Sequence, residues 1–273
     1  MLQRASQLNG YSLRATDGEI GSVDDLLIDD QSWTVRWLVV DTGTWLSGRR
    51  VLLPSSHLGR SDRELRHIAV DLSREQVRNS PDVDTHRPVS RQVEASIYGY
   101  YGWNPYWYGI PMAYGAPMIA GAGLGYGELP PYPLERREAS PADNAIARRA
   151  TAEAERQREE DQHLRSIAEV TDYYIEASDG DIGHVEDFLI DEDAWVVRYV
   201  MVDTKNWWPG KFVLIAPEWV EDIRWSEQTI RVQRTREDIK NAPEFDPSRP
   251  VERDYEARLY NYYGLPPYWR PTA

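Results

Sequence analysis

Asp17-Gly18-Glu19-Ile20-Gly21-Ser22-Val23-Asp24-Asp25-Leu26-Leu27-Ile28-Asp29 decides the fold, because the chain repeats it as Asp179-Gly180-Asp181-Ile182-Gly183-His184-Val185-Glu186-Asp187-Phe188-Leu189-Ile190-Asp191. The same shift of 162 residues aligns everything around it without a gap: 41 of the 97 positions from Tyr11 to Trp107 are identical to their counterparts from Tyr173 to Trp269. So long a period marks a duplicated domain and not a solenoid, whose units run to roughly 20–50 residues. Within each copy Asp-Gly is a tight-turn dipeptide, since both residues tolerate positive φ. It predicts a hairpin between strands near 12–16 and 20–29, repeated at 174–178 and 182–191.

Outward from the hairpin, Trp33 to Val40 is β-branched and aromatic on both faces apart from Thr34 and Arg36, and its twin is Trp195 to Val202. That pattern predicts a strand covered on both sides. Val51 to Leu53 with Leu65 to Val70, and Phe212 to Ile215 with Thr229 to Val232, add two strands per copy. Five or six short antiparallel strands in about 75 residues predict a small closed barrel, since closure removes exposed edges. Next, Ser73-Arg74-Glu75-Gln76 and Thr235-Arg236-Glu237-Asp238 place a hydroxyl at a helix N-cap with a polar side chain three residues on, the first a capping box. Pro81 and Pro243 end these helices. Each copy closes on an arm of aromatic residues, Gly and Pro, Tyr98 to Trp107 and Tyr260 to Trp269, from which regular helix is not expected.

The order Asp-Gly, Ile-Gly, Val-x-Asp-x-x-Ile-Asp, an aromatic and valine strand ending in Val-x-Asp, then a Gly and a Val-Leu-(Leu/Ile) strand resembles the PRC-barrel. That domain is shared by the cytoplasmic part of the photosynthetic reaction centre H subunit and the C-terminal part of bacterial ribosome maturation factors. The resemblance spans roughly residues 6–90 and 168–252. The membrane helix of the H subunit and the N-terminal barrel of the ribosome factor have no counterpart here. The chain therefore resembles bacterial tandem PRC-barrel proteins, and the resemblance implies binding or assembly. The expected architecture is mainly β: two small antiparallel PRC-type β-barrels, at 1–97 and 168–259, each followed by a short helix. An aromatic Gly/Pro-rich linker at 98–138 and one polar connector helix at 139–167 join them, and a C-terminal aromatic arm occupies 260–273.

From Ala95 to Gly127 no residue is charged, but Pro105, Pro111, Pro117 and eight glycines forbid a continuous helix. Irregular backbone in hydrocarbon leaves its amides unpaired, so a linker or a strap on a barrel is expected instead of a membrane span. Ser140-Pro141 opens an Ala/Glu/Arg-rich run to about Arg165. As a helix of about 25 residues it would span about 38 Å and hold the barrels apart.

Over 273 residues, 31 basic and 45 acidic side chains leave a net charge of −14, which repels nucleic acid and anionic lipid. Residues 168–273 hold 12 basic against 22 acidic side chains, so the acidity lies in the second half. With no cysteine, disulfides, thiolate zinc sites and cysteine nucleophiles are excluded. The N-terminus lacks the apolar core of a secretory signal, and no apolar run is long enough to span a bilayer. A soluble cytoplasmic protein is expected, any membrane association being peripheral at the inner membrane.

Asp25, Asp29 and Asp41 recur as Asp187, Asp191 and Asp203. A divalent cation would want such oxygens, but no spacing matches a calcium loop, and they read as caps of turns and strand ends. Arg36 and Arg198 interrupt apolar strands and are expected to pair with neighbouring-strand carboxylates such as Asp25 or Asp187. The five histidines share no metal spacing, and neither a nucleophile elbow nor a phosphate loop is present. No catalytic, cofactor or metal site is expected.

Aromatics are the remaining signal: 11 Trp and 17 Tyr against 3 Phe favour side chains that combine contact area with a polar handle, as interfaces do. The candidate interaction residues are Trp45, Trp207 and Trp208 in the loop before Gly48 and Gly210, and Tyr100, Tyr101, Tyr262, Tyr263 and Trp269 in the arms, which either fold back on a barrel or engage a partner. The expected function is non-enzymatic protein binding or scaffolding, the partner being an unidentified protein or a second copy of the chain. The alternative is an accessory factor, like the H subunit, peripheral to a membrane electron-transfer complex.

Overall fold

The computed structural model describes residues 2–80, 91–101, 164–204, 211–224 and 227–269. The first repeat runs β1 (Leu2–Arg4), α1 (Ala5–Leu8), β2 (Ser12–Ala15), β3 (Gly18–Asp29), β4 (Val35–Asp41), β5 (Arg50–Pro54), β6 (Leu58–Asp62), β7 (His67–Val70), α2 (Arg74–Arg78) and α3 (Arg91–Tyr101). The second follows the same order: β8 (Leu164–Ser166), α4 (Ile167–Val170), β9 (Tyr174–Ala177), β10 (Gly180–Asp191), β11 (Val196–Asp203), β12 (Phe212–Ile215), β13 (Val220–Arg224), β14 (Thr229–Val232), α5 (Arg236–Asn241) and α6 (Arg253–Tyr263).

The fold is mainly β, in two sheets of order β5-β4-β3-β2-β7-β6 and β12-β11-β10-β9-β14-β13. Two details correct the expected antiparallel closed barrels. β2 pairs with β7, and β9 with β14, in parallel. The hydrogen-bonded path ends at β5 and β6, or β12 and β13, without joining them among the described residues.

Each hairpin bends where the Ile-Gly glycine lets the long strand press on its neighbour. Gly21 (φ +138°) and Gly183 (φ +156°) would place a Cβ 2.1 and 2.0 Å from the carbonyl oxygens of Asp41 and Asp203, so no side chain fits there. The turn aspartates also tether the helices that follow: Asp17 and Asp179 accept the amides of Arg74 and Arg236, each at 2.7 Å. Both helices carry complete capping boxes, Ser73 with Gln76 and Thr235 with Asp238.

The arms depart from expectation, since Tyr98–Tyr101 and Tyr260–Tyr263 are helical. Leu259 and Tyr260 lie one turn before Tyr263 on the same face, and burying that stripe outweighs the modest helix propensity of tyrosine. Gly264, left-handed at φ +71°, then ends α6 ahead of Pro266. These helices explain why the central strands are apolar on both faces. Trp37, Val39 and Leu52 pack beneath Ile97, Tyr98 and Leu164 on one side, while Leu38, Val40 and Leu53 face the main core on the other.

The largest correction concerns how the repeats meet. Leu164–Ser166, assigned to the end of a connector helix, is strand β8, and it pairs antiparallel with β3 of the other repeat (Leu164 opposite Asp29, Ser166 opposite Leu27). Reciprocally, β1 pairs with β10 (Leu2 opposite Asp191, Arg4 opposite Leu189). Between these exchanged strands Val35 donates to the Trp195 carbonyl (2.7 Å) and Val197 to the Trp33 carbonyl (2.8 Å), the reciprocity of a two-fold axis. Trp33 and Trp195 hold positive φ (56° and 50°), a conformation aromatic side chains seldom adopt, and both are buried. One apolar core runs through both repeats, which are therefore not held apart by a spacer. The remainder of the expected linker and connector helix, residues 102–163, lies outside the described residues.

Candidate interaction surfaces

The recurrent aspartates prove to be structural joints. Asp187 accepts the amide (3.1 Å) and hydroxyl of Ser6, while Asp25 accepts the Ala168 amide (3.0 Å) and the Ser166 hydroxyl. Each carboxylate thus caps the first turn of the opposite repeat's short helix, α1 or α4. Burial pushes the Asp25 carboxyl up, against the hydrogen bonds from Ser166, Ala168 and Leu26. Arg36 and Arg198 are paired as expected, but with Asp29 and Asp191 (3.1 Å each) and not with Asp25 or Asp187. Those two are already engaged by the exchange. Burial would raise Asp29, yet the Ser32 amide and the Arg36 guanidinium outweigh it and hold the carboxyl below the usual range.

Two buried carboxylates that sequence reasoning missed anchor the long helices. Glu94 on α3 accepts the Trp37 indole N–H at 2.7 Å, and its equivalent Glu256 on α6 accepts the Tyr199 hydroxyl at 3.0 Å. Glu256 also accepts from Tyr268 (3.0 Å) and pairs with Arg253 (3.0 Å). Identity of Glu94 and Glu256 between the copies, within otherwise apolar helix faces, was the available signal.

Of the six predicted interaction residues that are described, four fold back on their own repeat. Trp45 is half-buried with the Arg74 guanidinium 4.7 Å from its ring centre. Tyr101 is half-buried beside Tyr100 (rings 4.8 Å apart), and burial pushes its hydroxyl up to about 12. Tyr263 is buried against Trp219 (3.6 Å), and Trp269 is half-buried against Tyr260 (5.4 Å) and under Arg253 (4.3 Å). Tyr100 and Tyr262, equivalent under the repeat shift, remain exposed (43% and 41%), their hydroxyls donating to the carbonyls of Gln76 and Asp238. Trp207 and Trp208 lie outside the described residues.

A cavity of about 670 Å³ opens where the repeats meet, between the turn after β3 and the β12–β13 corner. Its lining includes Asp30, Trp33 and Arg165 on one side and Arg198, Glu218, Glu221, Asp222 and Tyr268 on the other. Arg165 is engaged by Asp30 at 2.8 Å. The twin corner across the two-fold carries different chemistry. There Arg60 pairs with Asp193, Arg63 donates to Gln3 (2.8 Å) and approaches Glu192 (3.8 Å), and Ser61 donates to Glu192. Elsewhere, among the described residues, His184, Glu186 and Asp203 bring potential metal-ligand atoms within 4.8 Å of one another. Linear spacing hid this group because His184 and Asp203 meet across β10 and β11. Its counterpart in the first repeat is Ser22, Asp24 and Asp41, where Arg50 holds Asp24 at 3.0 Å.

No described helix is long and apolar enough to cross a membrane. Comparison with curated proteins gives no match. The PRC-barrel domain pattern matches residues 2–77 and again residues 166–239, spans that begin at or beside the exchanged strands β1 and β8 and end within α2 and α5. With two such domains over more than half its length, the chain belongs to the PRC-barrel family.

Proposed function

We propose that the protein is a non-enzymatic binding or scaffolding module whose two repeats present paired surfaces to protein partners. The observation that carries this reading is the reciprocal strand exchange, which joins the repeats into one body and sets equivalent positions in a fixed two-fold relation. The half-buried Asp25 and the buried Asp187, Glu94 and Glu256 hold strands and helices together. Among the described residues, Tyr100 and Tyr262 are the exposed members of the candidate set and the contacts we assign first to a partner, with Trp45, Tyr101, Tyr263 and Trp269 supporting them. The cytoplasmic location expected from the sequence belongs to the same proposal.

The test is affinity purification of the tagged full chain from its native cells, beside a Tyr100→Ser/Tyr262→Ser variant of unchanged melting temperature. A protein enriched with the parent and lost with the variant is the expected result. Equal recovery with both, or no enriched protein, overturns the assignment.

A further inference from the structure

We propose that the cavity between the repeats is a receptor for a guanidinium group, supplied by an arginine in a basic segment of a protein partner. This rests on the binding reading above and adds the chemistry of what is bound. The twin corner already pairs guanidinium with carboxylate, with the two charges on opposite walls from those of the cavity. At the twin corner two guanidinium groups of the chain, those of Arg60 and Arg63, sit against Asp193 and Glu192. Across the two-fold, Ser56, Gly59 and Arg60 are replaced by Glu218, Glu221 and Asp222, so the rim changes from basic to acidic and the corner is left as a cavity.

The cations already in the cavity do not neutralise that rim. Arg165 is held by Asp30 at 2.8 Å, and Arg198 by Asp191 at 3.1 Å. Arg224 meets Asp222 (3.2 Å), but it is shared with Glu227 (2.9 Å), and among the described residues Glu218 and Glu221 form no ion pair. Two carboxylates therefore face a polar cavity whose wall carries aromatic side chains among aliphatic and neutral polar ones. Tyr268 already accepts one guanidinium on its face, with Arg198 4.1 Å from the ring centre, and Trp33 and Tyr260 line the same space. Carboxylates around aromatic faces suit a planar, weakly hydrated cation better than a neutral group. The volume falls within the roughly 300–1,000 Å³ of ligand pockets, enough for an arginine and its flanking backbone. The acidic second half of the chain adds long-range attraction for a basic segment.

Titration calorimetry on the full chain decides the matter, using the blocked peptide acetyl-Gly-Arg-Gly-amide, the same peptide with neutral citrulline for arginine, and free arginine. The arginine peptide should bind at least about tenfold tighter than the citrulline peptide, and more weakly as salt rises from about 50 to 300 mM. Glu218→Gln/Glu221→Gln should cost about tenfold in affinity, and Asp222→Arg, which restores the residue of the twin corner, should abolish binding. Both changes are at the rim, and an unchanged melting temperature of either variant suffices for the comparison. Equal binding of arginine and citrulline peptides, unchanged binding to the variants, or no heat at millimolar peptide overturns the proposal. Free arginine binding as tightly as the peptide overturns its assignment to a protein segment. A partner recovered equally with the parent chain and the Glu218→Gln/Glu221→Gln variant removes the cavity from the binding reading while leaving that reading intact.

Discussion

Asp187→Ala tests the strand exchange most directly, because the side chain belongs to one repeat and caps a helix of the other. Asp187 is buried and accepts three hydrogen bonds: from the Ser6 amide, the Ser6 hydroxyl and its neighbour's amide at Phe188 (2.8 Å). Ser6 is exposed, so its donors recover water when the carboxylate goes. The Phe188 amide lies beside a fully buried side chain, and leaving it unsatisfied costs about 1–3 kcal/mol. Loss of the cap on α1 adds about 1 kcal/mol. The sum is about 2–4 kcal/mol, and at roughly 2–4 °C per kcal/mol the melting temperature should fall by about 5–15 °C. Asp187→Asn keeps an acceptor for the amides and should lose less than about 1 kcal/mol. Ser6→Ala alone should cost about 1 kcal/mol, and the double variant Ser6→Ala/Asp187→Ala should show a coupling of about 1 kcal/mol, because the hydroxyl acts through the carboxylate. Urea unfolding followed by tryptophan fluorescence and circular dichroism measures all four, and the continuous core predicts a single transition for both repeats. Additive single effects within about 0.3 kcal/mol, or two separate transitions of which only one moves, would refute the exchange.

Gly183→Ala forces a Cβ to 2.0 Å from the Asp203 carbonyl oxygen and should cost about 3 kcal/mol or more by thermal melting, whereas Gly43→Ala, which meets nothing within 4 Å, should cost about 1 kcal/mol. Asp29 is held below its ordinary 3.8, so it contributes stability that is present above that pH and lost as pH falls through its folded value. Asp29→Asn should therefore be less stable than the parent at pH 7, with the gap narrowing below about pH 3.8 in pH-resolved melts; a constant gap would discount the Arg36 pairing. Glu256→Ala strands the buried Tyr199 hydroxyl and should lower amide-exchange protection across Arg253–Tyr263 by about 1–3 kcal/mol, with partial rescue by Glu256→Gln. Unchanged protection would mean that α6 is held by its apolar stripe alone.

What could be read from sequence was what is local. The Asp-Gly turns, the capping box at Ser73 and the strand after Trp33 each follow from the few residues that make them. The repeat alignment extended those readings across the chain, and the two matches to the PRC-barrel domain agree with it. β6 and β13 escaped notice because Leu58-Gly59-Arg60-Ser61-Asp62 and Val220-Glu221-Asp222-Ile223-Arg224 show no clean alternation; partner strands, and not their own pattern, make them strands. The exchanged strands were harder still. Three residues carry no periodicity, and the pairing of Leu2 with Asp191 joins distant parts of the chain, which no window reports. Misassigning Leu164 and Arg165 to a helix then made a spacer of a segment whose end docks on the neighbouring sheet. The arms failed for the opposite reason. Gly and Pro content argued against helix, while the spacing of Leu259, Tyr260 and Tyr263, which buries all three and sets Tyr260 beside Tyr199 and Tyr263 against Trp219, argued for it and prevailed.

Joining the two repeats in one chain changes what their shared interface can become. In a dimer of identical subunits every substitution appears twice, once on each side of the axis. Here the second copy is covalently supplied, so association carries no bimolecular cost and each side can change alone. The corners show such divergence. Arg60 and Arg63 meet Glu192 and Asp193 on one side, whereas Asp222 faces Arg165 and Asp30 across a cavity on the other. The ends of the long hairpins diverge too, with Arg50 on Asp24 in the first repeat and Phe212, His184 and Glu186 at the equivalent positions in the second. The parts that hold the exchange together, Asp25 with Asp187 and Trp33 with Trp195, are identical in both. Constraint at the joint and freedom at the corners is the pattern expected of a duplicated scaffold whose halves share one stability requirement but no longer share one surface.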